Sequence, residues 1–442
     1  MSFFAILFCL LLLILLISYF KVDAFLSLVI ISIAMAIFLG IPFNRIPLVI
    51  EKGIGNILGN LTLIIVLGAM LGKLVAESGA AQKIAEVMVN IMGTKNIQWG
   101  LMIAGFIVGI PLFYGVGFVL LVPIIFSIVY QYKFPAVYIG LPMLAALSVA
   151  HGFLPPHPSP VALVAMFDAN MGITLIWGIV VAIPAIIIAG PIFSKTLKNI
   201  KSGPLKLFET SEPGNRQNRN KPSKMNSFFS ATSPVFLLIT VTVIPYLFPN
   251  MEGRASDILS LVSAPSMVML LSLIIATYTL GIRQGRSIKE IMVIYTEAVK
   301  DISMILLIIA GSGIFKEVME ISGVSLSLAN AMEKLPVHPL ILGWLMAGII
   351  RGCIGSATVA ALTAAGVIMP LAAHTGVNPN MMVLSLGAGS LLFSHVNDSG
   401  FWLFKEYFNL SIKDTLRSWS VMEIIVSVVG LLGVLVLNFT LF

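Results

Sequence analysis

The sequence predicts an all-α polytopic membrane protein, and three observations carry that prediction. Of its 442 residues, 58% are hydrophobic and only 10% are charged, and the mean hydropathy is +1.04. No soluble core hides that much apolar surface. Apolar runs recur at about 20 residues, the length of helix that crosses a hydrocarbon layer. The alternating segments of about ten residues that build a membrane β-barrel do not occur.

The plainest spans, in order, are Ser2–Phe20, Ala24–Gly40, Leu58–Ala76, Ile173–Phe193, Pro234–Phe248, Leu259–Leu280 and Ile424–Leu441. The first lacks a basic leader and a small-residue cleavage site, so it reads as a retained helix rather than a signal peptide. Cys9 and Cys353 both lie in apolar stretches, which predicts neither a disulfide framework nor a metal site. The net charge of +7 marks cytoplasmic loops rather than a nucleic-acid partner.

Residues 194–226 break the apolar pattern. Lys195, Lys198, Lys201, Lys206, Arg216, Arg219, Lys221 and Lys224 stand there against Glu209 and Glu212, and that excess predicts a cytoplasmic linker. Arg283–Lys289 is a second basic loop, and Lys413 and Arg417 precede the last span, which then runs outward. Both termini are expected outside. The linker separates two similar parts, residues 1–193 and 227–442. Ser78-Gly79 and Ser322-Gly323 are 244 residues apart, as are His151 and His395. Gly105 and Gly109 pair with Gly348 and Gly352 at an offset of 243, and Pro123 with Pro370 at 247. Such an offset predicts inverted repeats, a common build of secondary transporters.

Between the spans lie long stretches nearly free of charge but rich in Gly and Pro: "GIPLFYGVGF", "HGFLPPHPSP", "RGCIGSATVAALTAAG" and "SLGAGSLLFSHVNDSG". Interrupted helices at membrane depth are tolerated where buried in protein or facing a cavity, and matching interruptions point to a substrate site. Asp398 and Arg351 stand out, because an intramembrane charge costs about 2.5–3.5 kcal/mol on insertion scales and is retained for a reason. The plain alternative is a purely structural Arg351–Asp398 ion pair. His151 and His157 are ligand or proton candidates, against the plain alternative of capping a broken helix. Ser356 and Thr358 are ligand candidates, against simple backbone bonding. Trp402, Phe404, Tyr407 and Phe408 beside Lys405 read as an interfacial belt.

The stretches "GAMLGKLVAESGAAQKIA", "HGFLPPHPSPVA", "GSATVAALTAAGV" and "SHVNDSGFWLFKEYFNL" resemble the gluconate permease family. The resemblance runs from the first helix to the last and is weakest in the linker. It implies an inner-membrane symporter of gluconate, idonate, a related sugar acid or D-serine, with protons as the coupled ion and no cofactor. It implies a homodimeric elevator: a scaffold, and re-entrant hairpins whose tips hold substrate. Carried over by position, the substrate-binding candidates are His151, His157, Arg351, Ser356, Ala357, Thr358, Asn397 and Asp398, with Pro155 and Pro156 beside them. One departure matters. The family carries an acidic residue where this chain has Gly115, and a membrane carboxylate is the natural proton carrier. Asp398 and His395 are then the leading proton-coupling candidates, and coupling itself is in question.

Three other classes fit the sequence less well. An intramembrane His/Asp enzyme lacks H-E-x-x-H, and two prolines part His151 from His157, which disfavours a helical metal pair. A channel lacks a repeated filter motif. A primary pump lacks a phosphate-binding G-x-x-x-x-G-K-[ST] loop.

Overall fold

The computed structural model describes residues 2–200, 202, 222–248, 252–322, 337–396 and 398–441. Among them every regular element is helical. Before the basic segment come α1 (Ser2–Ser18), α2 (Ala24–Phe38), α3 (Ile46–Glu77), α4 (Ala80–Met92), α5 (Ile97–Gly109), α6 (Tyr114–Tyr132), α7 (Ala136–Phe153), α8 (Pro158–Met166) and α9 (Met171–Ile187). After it come α10 (Lys224–Leu247), α11 (Arg254–Ser263), α12 (Pro265–Ala276), α13 (Ile288–Ile321), α14 (Pro339–Ile354), α15 (Ala357–Thr375), α16 (Pro379–Gly389), α17 (Ser399–Tyr407), α18 (Ile412–Thr415) and α19 (Val421–Leu441). Eight helices among the described residues are long and apolar enough to cross a membrane.

Local chemistry sets the helix starts. Asp23 accepts from the Phe25 amide at 2.9 Å and caps α2. Ser287 and Glu290 form a reciprocal capping box on α13, satisfying donors the first turn leaves open. Proline opens α8, α14 and α16, where its missing N–H costs nothing. The expected Leu259–Leu280 span is instead two helices parted at Ala264, because Pro265 favours a new start and disfavours helical backbone before it. α3 begins at Ile46, earlier than the apolar run suggested, and α10 begins inside the basic segment, capped by Ser223. The last span is continuous from Ile412 through a π turn at Leu416–Ser420.

Two features position the interior. First, four helix pairs are interrupted: α5–α6, α7–α8, α14–α15 (Gly355 at φ +82°) and α16–α17 (Phe393 at φ +55°). Second, the pairs approach from opposite ends. At one end Gln98, beginning α5, donates to Ser194 Oγ at 2.8 Å and to the Tyr138 carbonyl, and Lys198 lies 5.0 Å over the Tyr138 ring. Asn226 donates to the Thr279 carbonyl at 2.8 Å, and Arg286 donates to the Glu77 carbonyl at 2.5 Å. At the other end Thr174 donates to Asn380 Oδ1 at 2.8 Å, and the His338 and Phe439 rings are 5.4 Å apart. The α5–α6 pair therefore starts and finishes at the first end, and α14–α15 at the second. α3 and α13 pack along each other, with Gly53 and Gly313 letting the backbones touch.

Candidate functional site

The breaks between α7 and α8 and between α16 and α17 meet. A Cβ placed on Gly387 would lie 2.5 Å from the Gly152 carbonyl oxygen, and Leu391 packs onto Gly152. The two hairpin tips reach the same region. His157 Nε2 donates to the Gly109 carbonyl at 2.7 Å, tying the first break to the α5–α6 tip. His395 Nε2 donates to the Gly352 carbonyl at 2.8 Å, tying the second break to the α14–α15 tip. In both the acceptor is a carbonyl, so the proton sits on Nε2.

Arg351 and Asp398 form a buried ion pair through Nη2 and Oδ2. Asp398 also caps α17, its Oδ1 accepting from the Gly400 amide at 3.0 Å. Ser394 donates to Oδ2 and accepts from the Trp419 indole at 2.8 Å. Ser420 donates to the Ser394 carbonyl. Asp398 is thus held by a cation, a hydroxyl and an amide, which makes it a rigid part of the break.

Around this pair stand buried polar atoms with no hydrogen-bond partner among the described residues: Arg351 Nε and Nη1, His151 Nδ1, Tyr114 Oη and Glu423 Oε2. Buried polar groups are nearly always satisfied, so this cluster points to something bound there. The His151 and His157 rings are 5.2 Å apart and nearly perpendicular. Ser148 donates to Glu423 Oε1 at 2.7 Å. The charges of Arg351 and Asp398 act on Glu423, His151 lies within reach of both, and Tyr114 is within reach of Glu423 and Asp398.

Of the residues expected from sequence, His151, His157, Arg351 and Asp398 come together, with His395 adjoining through its bond to Gly352. Ser356 caps α15, accepting from the Val359 amide at 3.4 Å; Ala357 opens that helix and Thr358 is buried within its first turn. Gly115 is the second residue of α6, and a Cβ there would meet nothing within 4 Å. Asn397 lies outside the described residues. Sequence reasoning missed Tyr114, Ser148, Ser394, Trp419 and above all Glu423. Its signal was available, since a lone carboxylate directly precedes the apolar run Ile424–Leu441. A separate cleft of about 440 Å³ lies between α8–α9 and α10–α12, lined by Asn170, Gly172, Thr242 and Pro265 among others; the Arg351–Asp398 pair is not part of it.

Residues 1–440 match the model of the GntP family permeases. The chain belongs to that family. It is 44% identical over 429 residues to the high-affinity gluconate transporter of Escherichia coli K12, covering 97% of each chain. Identity and coverage are the same for the Gnt-II system L-idonate transporter of that organism. The gluconate permease of Bacillus subtilis is 44% identical over 427 residues, covering 95% of each chain. Among solved structures the fold is similar to the YdaH transporter of Alcanivorax borkumensis, with a TM-score of 0.64 and 16% identity over 94% of this chain and 96% of that one. As a GntP family permease the chain is a multi-pass membrane transporter, not an enzyme, and the intramembrane His/Asp enzyme is set aside.

Proposed function

We propose that this permease takes up gluconate or a closely related sugar acid by proton symport, at a site between the two helical breaks. Relatives named for gluconate and L-idonate support the substrate class. The observation that carries the site is Arg351. One guanidinium nitrogen is engaged by Asp398, and Nε and Nη1 are buried without a partner among the described residues. A carboxylate is the natural acceptor for such donors. The amide ends of α6 and α15 face the same break region and favour an anion too. His151, His157, Ser356 and Thr358 supply donors and acceptors for hydroxyls, and Ala357 contributes backbone; Asn397 belongs to the set by its place in the motif.

The two parts of the chain, 1–193 and 227–442, are read as inverted repeats joined by a cytoplasmic linker. The order of elements supports this: a long helix, a hairpin, a broken pair and a final span occur in each. The bonds His157–Gly109 and His395–Gly352 occupy matching places. In this reading α3 and α13 form the scaffold, the hairpins and broken pairs carry substrate past it, and two copies associate in a bacterial inner membrane with both termini outside.

A thermal-shift panel on purified protein tests the substrate. Gluconate or L-idonate should raise the apparent stability, by about 2.7 kcal/mol at a hundredfold excess over Kd, while D-serine and citrate should not. A shift with D-serine alone would overturn the sugar-acid reading.

A further inference from the structure

We propose that Glu423 is the proton carrier of this permease: its carboxylate takes up the proton that accompanies the bound anion. The proposal rests on the sugar-acid uptake reading above and names a group that the motifs do not contain.

The placement argues for it. Glu423 is 2% exposed and sits one helical turn beyond Trp419, against the break that holds Asp398. Oε1 accepts from Ser148, and Oε2 is buried with no partner among the described residues. An intramembrane carboxylate held by one hydroxyl is costly and is retained for function by default. The elements packed against the last span bring few titratable groups to it. Arg351 comes from α14, Asp398 from the second break and Tyr114 from α6, while His151 on α7 lies within reach of the first two. The other titratable residue of α7, Tyr138, is at the far end beside Lys198. Neither α9 nor α16 carries a titratable side chain.

Charge balance then sets the role. Arg351 and Asp398 neutralise each other, so an ionised Glu423 leaves the site with one uncompensated negative charge. A sugar-acid anion arriving on Arg351 adds a second in a medium that screens poorly. Protonation of Glu423 at Oε2 removes one of them. Anion and proton therefore bind more tightly together than separately, which is the thermodynamic content of symport. The substrate's covalent bonds are untouched: hydronium gives its proton to Oε2 on one side of the membrane, leaving water, and the carboxyl returns it to water on the other after the anion leaves. Glu423 thereby supplies the carboxyl group that Gly115 does not.

The test is calorimetric titration of the purified full chain with gluconate in buffers of different ionisation enthalpy, which counts the protons taken up on binding. In alkaline buffer, where the empty site has released its proton, the unaltered chain should take up about one proton per anion, with affinity falling as pH rises. E423Q, which mimics the protonated state, should take up none, and at neutral pH should match the affinity the unaltered chain shows in acid. E423D should restore uptake. Uptake that persists in E423Q overturns the proposal while leaving gluconate as the substrate. Absence of any gluconate heat in the unaltered chain overturns the substrate reading and the proposal with it. Should E423Q fail to fold, S148A decides: removing the hydrogen bond that Ser148 donates to Glu423 must move the pH of half-maximal uptake, and an unmoved midpoint overturns the assignment.

Discussion

Arg351 holds Asp398, and Asp398 caps α17, so one guanidinium reaches from the α14–α15 tip into the second break. Removing the cation strands a buried carboxylate, which costs about 3–5 kcal/mol. R351Q should therefore lose stability by about that amount as well as gluconate binding. The double variant R351Q/D398N should recover much of the stability, because both charges leave together, while binding stays lost. Denaturation and ligand-induced thermal shift, measured on the same samples, separate the two effects. A double variant that also binds gluconate would reduce the pair to the structural role the sequence also allowed. At this scale the sequence was half legible. Arg351 and Asp398 stood out as isolated charges in apolar surroundings, and His151 and His157 as polar groups between prolines. Glu423 escaped because it borders the apolar run used to mark the last helix, and the π turn that extends that helix back to Ile412 leaves no compositional trace. Tyr114, Ser148 and Ser394 are ordinary residues in such a chain, and only the packing of distant segments makes them neighbours.

Among the elements, the hairpin tips depend on close backbone approach. Gly72 on α3 lies directly against the Pro111 carbonyl at the α5–α6 tip, where a Cβ has no room. G72A must push the tip away from α3. Overpacking of this kind costs about 1–3 kcal/mol, and in the proposed elevator the displaced tip would also slide poorly along its scaffold. Initial uptake rates in vesicles should fall further than gluconate binding in detergent does; equal losses would mean that Gly72 serves packing alone. The breaks themselves were readable, since Gly and Pro clusters in dry sequence have few other uses. The division at Pro265 was not foreseen, because a 22-residue apolar window over Leu259–Leu280 looks the same whether one helix or two fill it.

For the whole molecule, Lys198, Asn226 and Arg286 gather at one end of the helices, beside the starts of α5, α7 and α10. In the proposed topology that end faces the cytoplasm, as the lysine and arginine bias predicts. A cysteine introduced at Ser211, outside the described residues, should react with an impermeant maleimide in inside-out vesicles and stay unlabelled in intact cells. Labelling from outside the cell would invert the orientation. The proposed repeat rests on scattered Ser, Gly, Pro and His matches and pairs His395 with His151, whereas the hydrogen bond that resembles that of His395 belongs to His157. Hydrogen-bond equivalence follows the three-dimensional break, and a loop of different length between α16 and α17 shifts the register.

The Glu423 carboxylate beside the Arg351–Asp398 pair also has an electrical meaning. If one monovalent anion travels with one proton on Glu423, the loaded site carries the same net charge as the empty site with Glu423 ionised. A membrane potential does work of about 2.3 kcal/mol per elementary charge per 100 mV, and over a full cycle it would find no net charge moved. Gluconate accumulation in vesicles should then follow an imposed pH difference and ignore a valinomycin-set potassium diffusion potential. In E423Q the anion would cross alone, and an inside-negative voltage would oppose it.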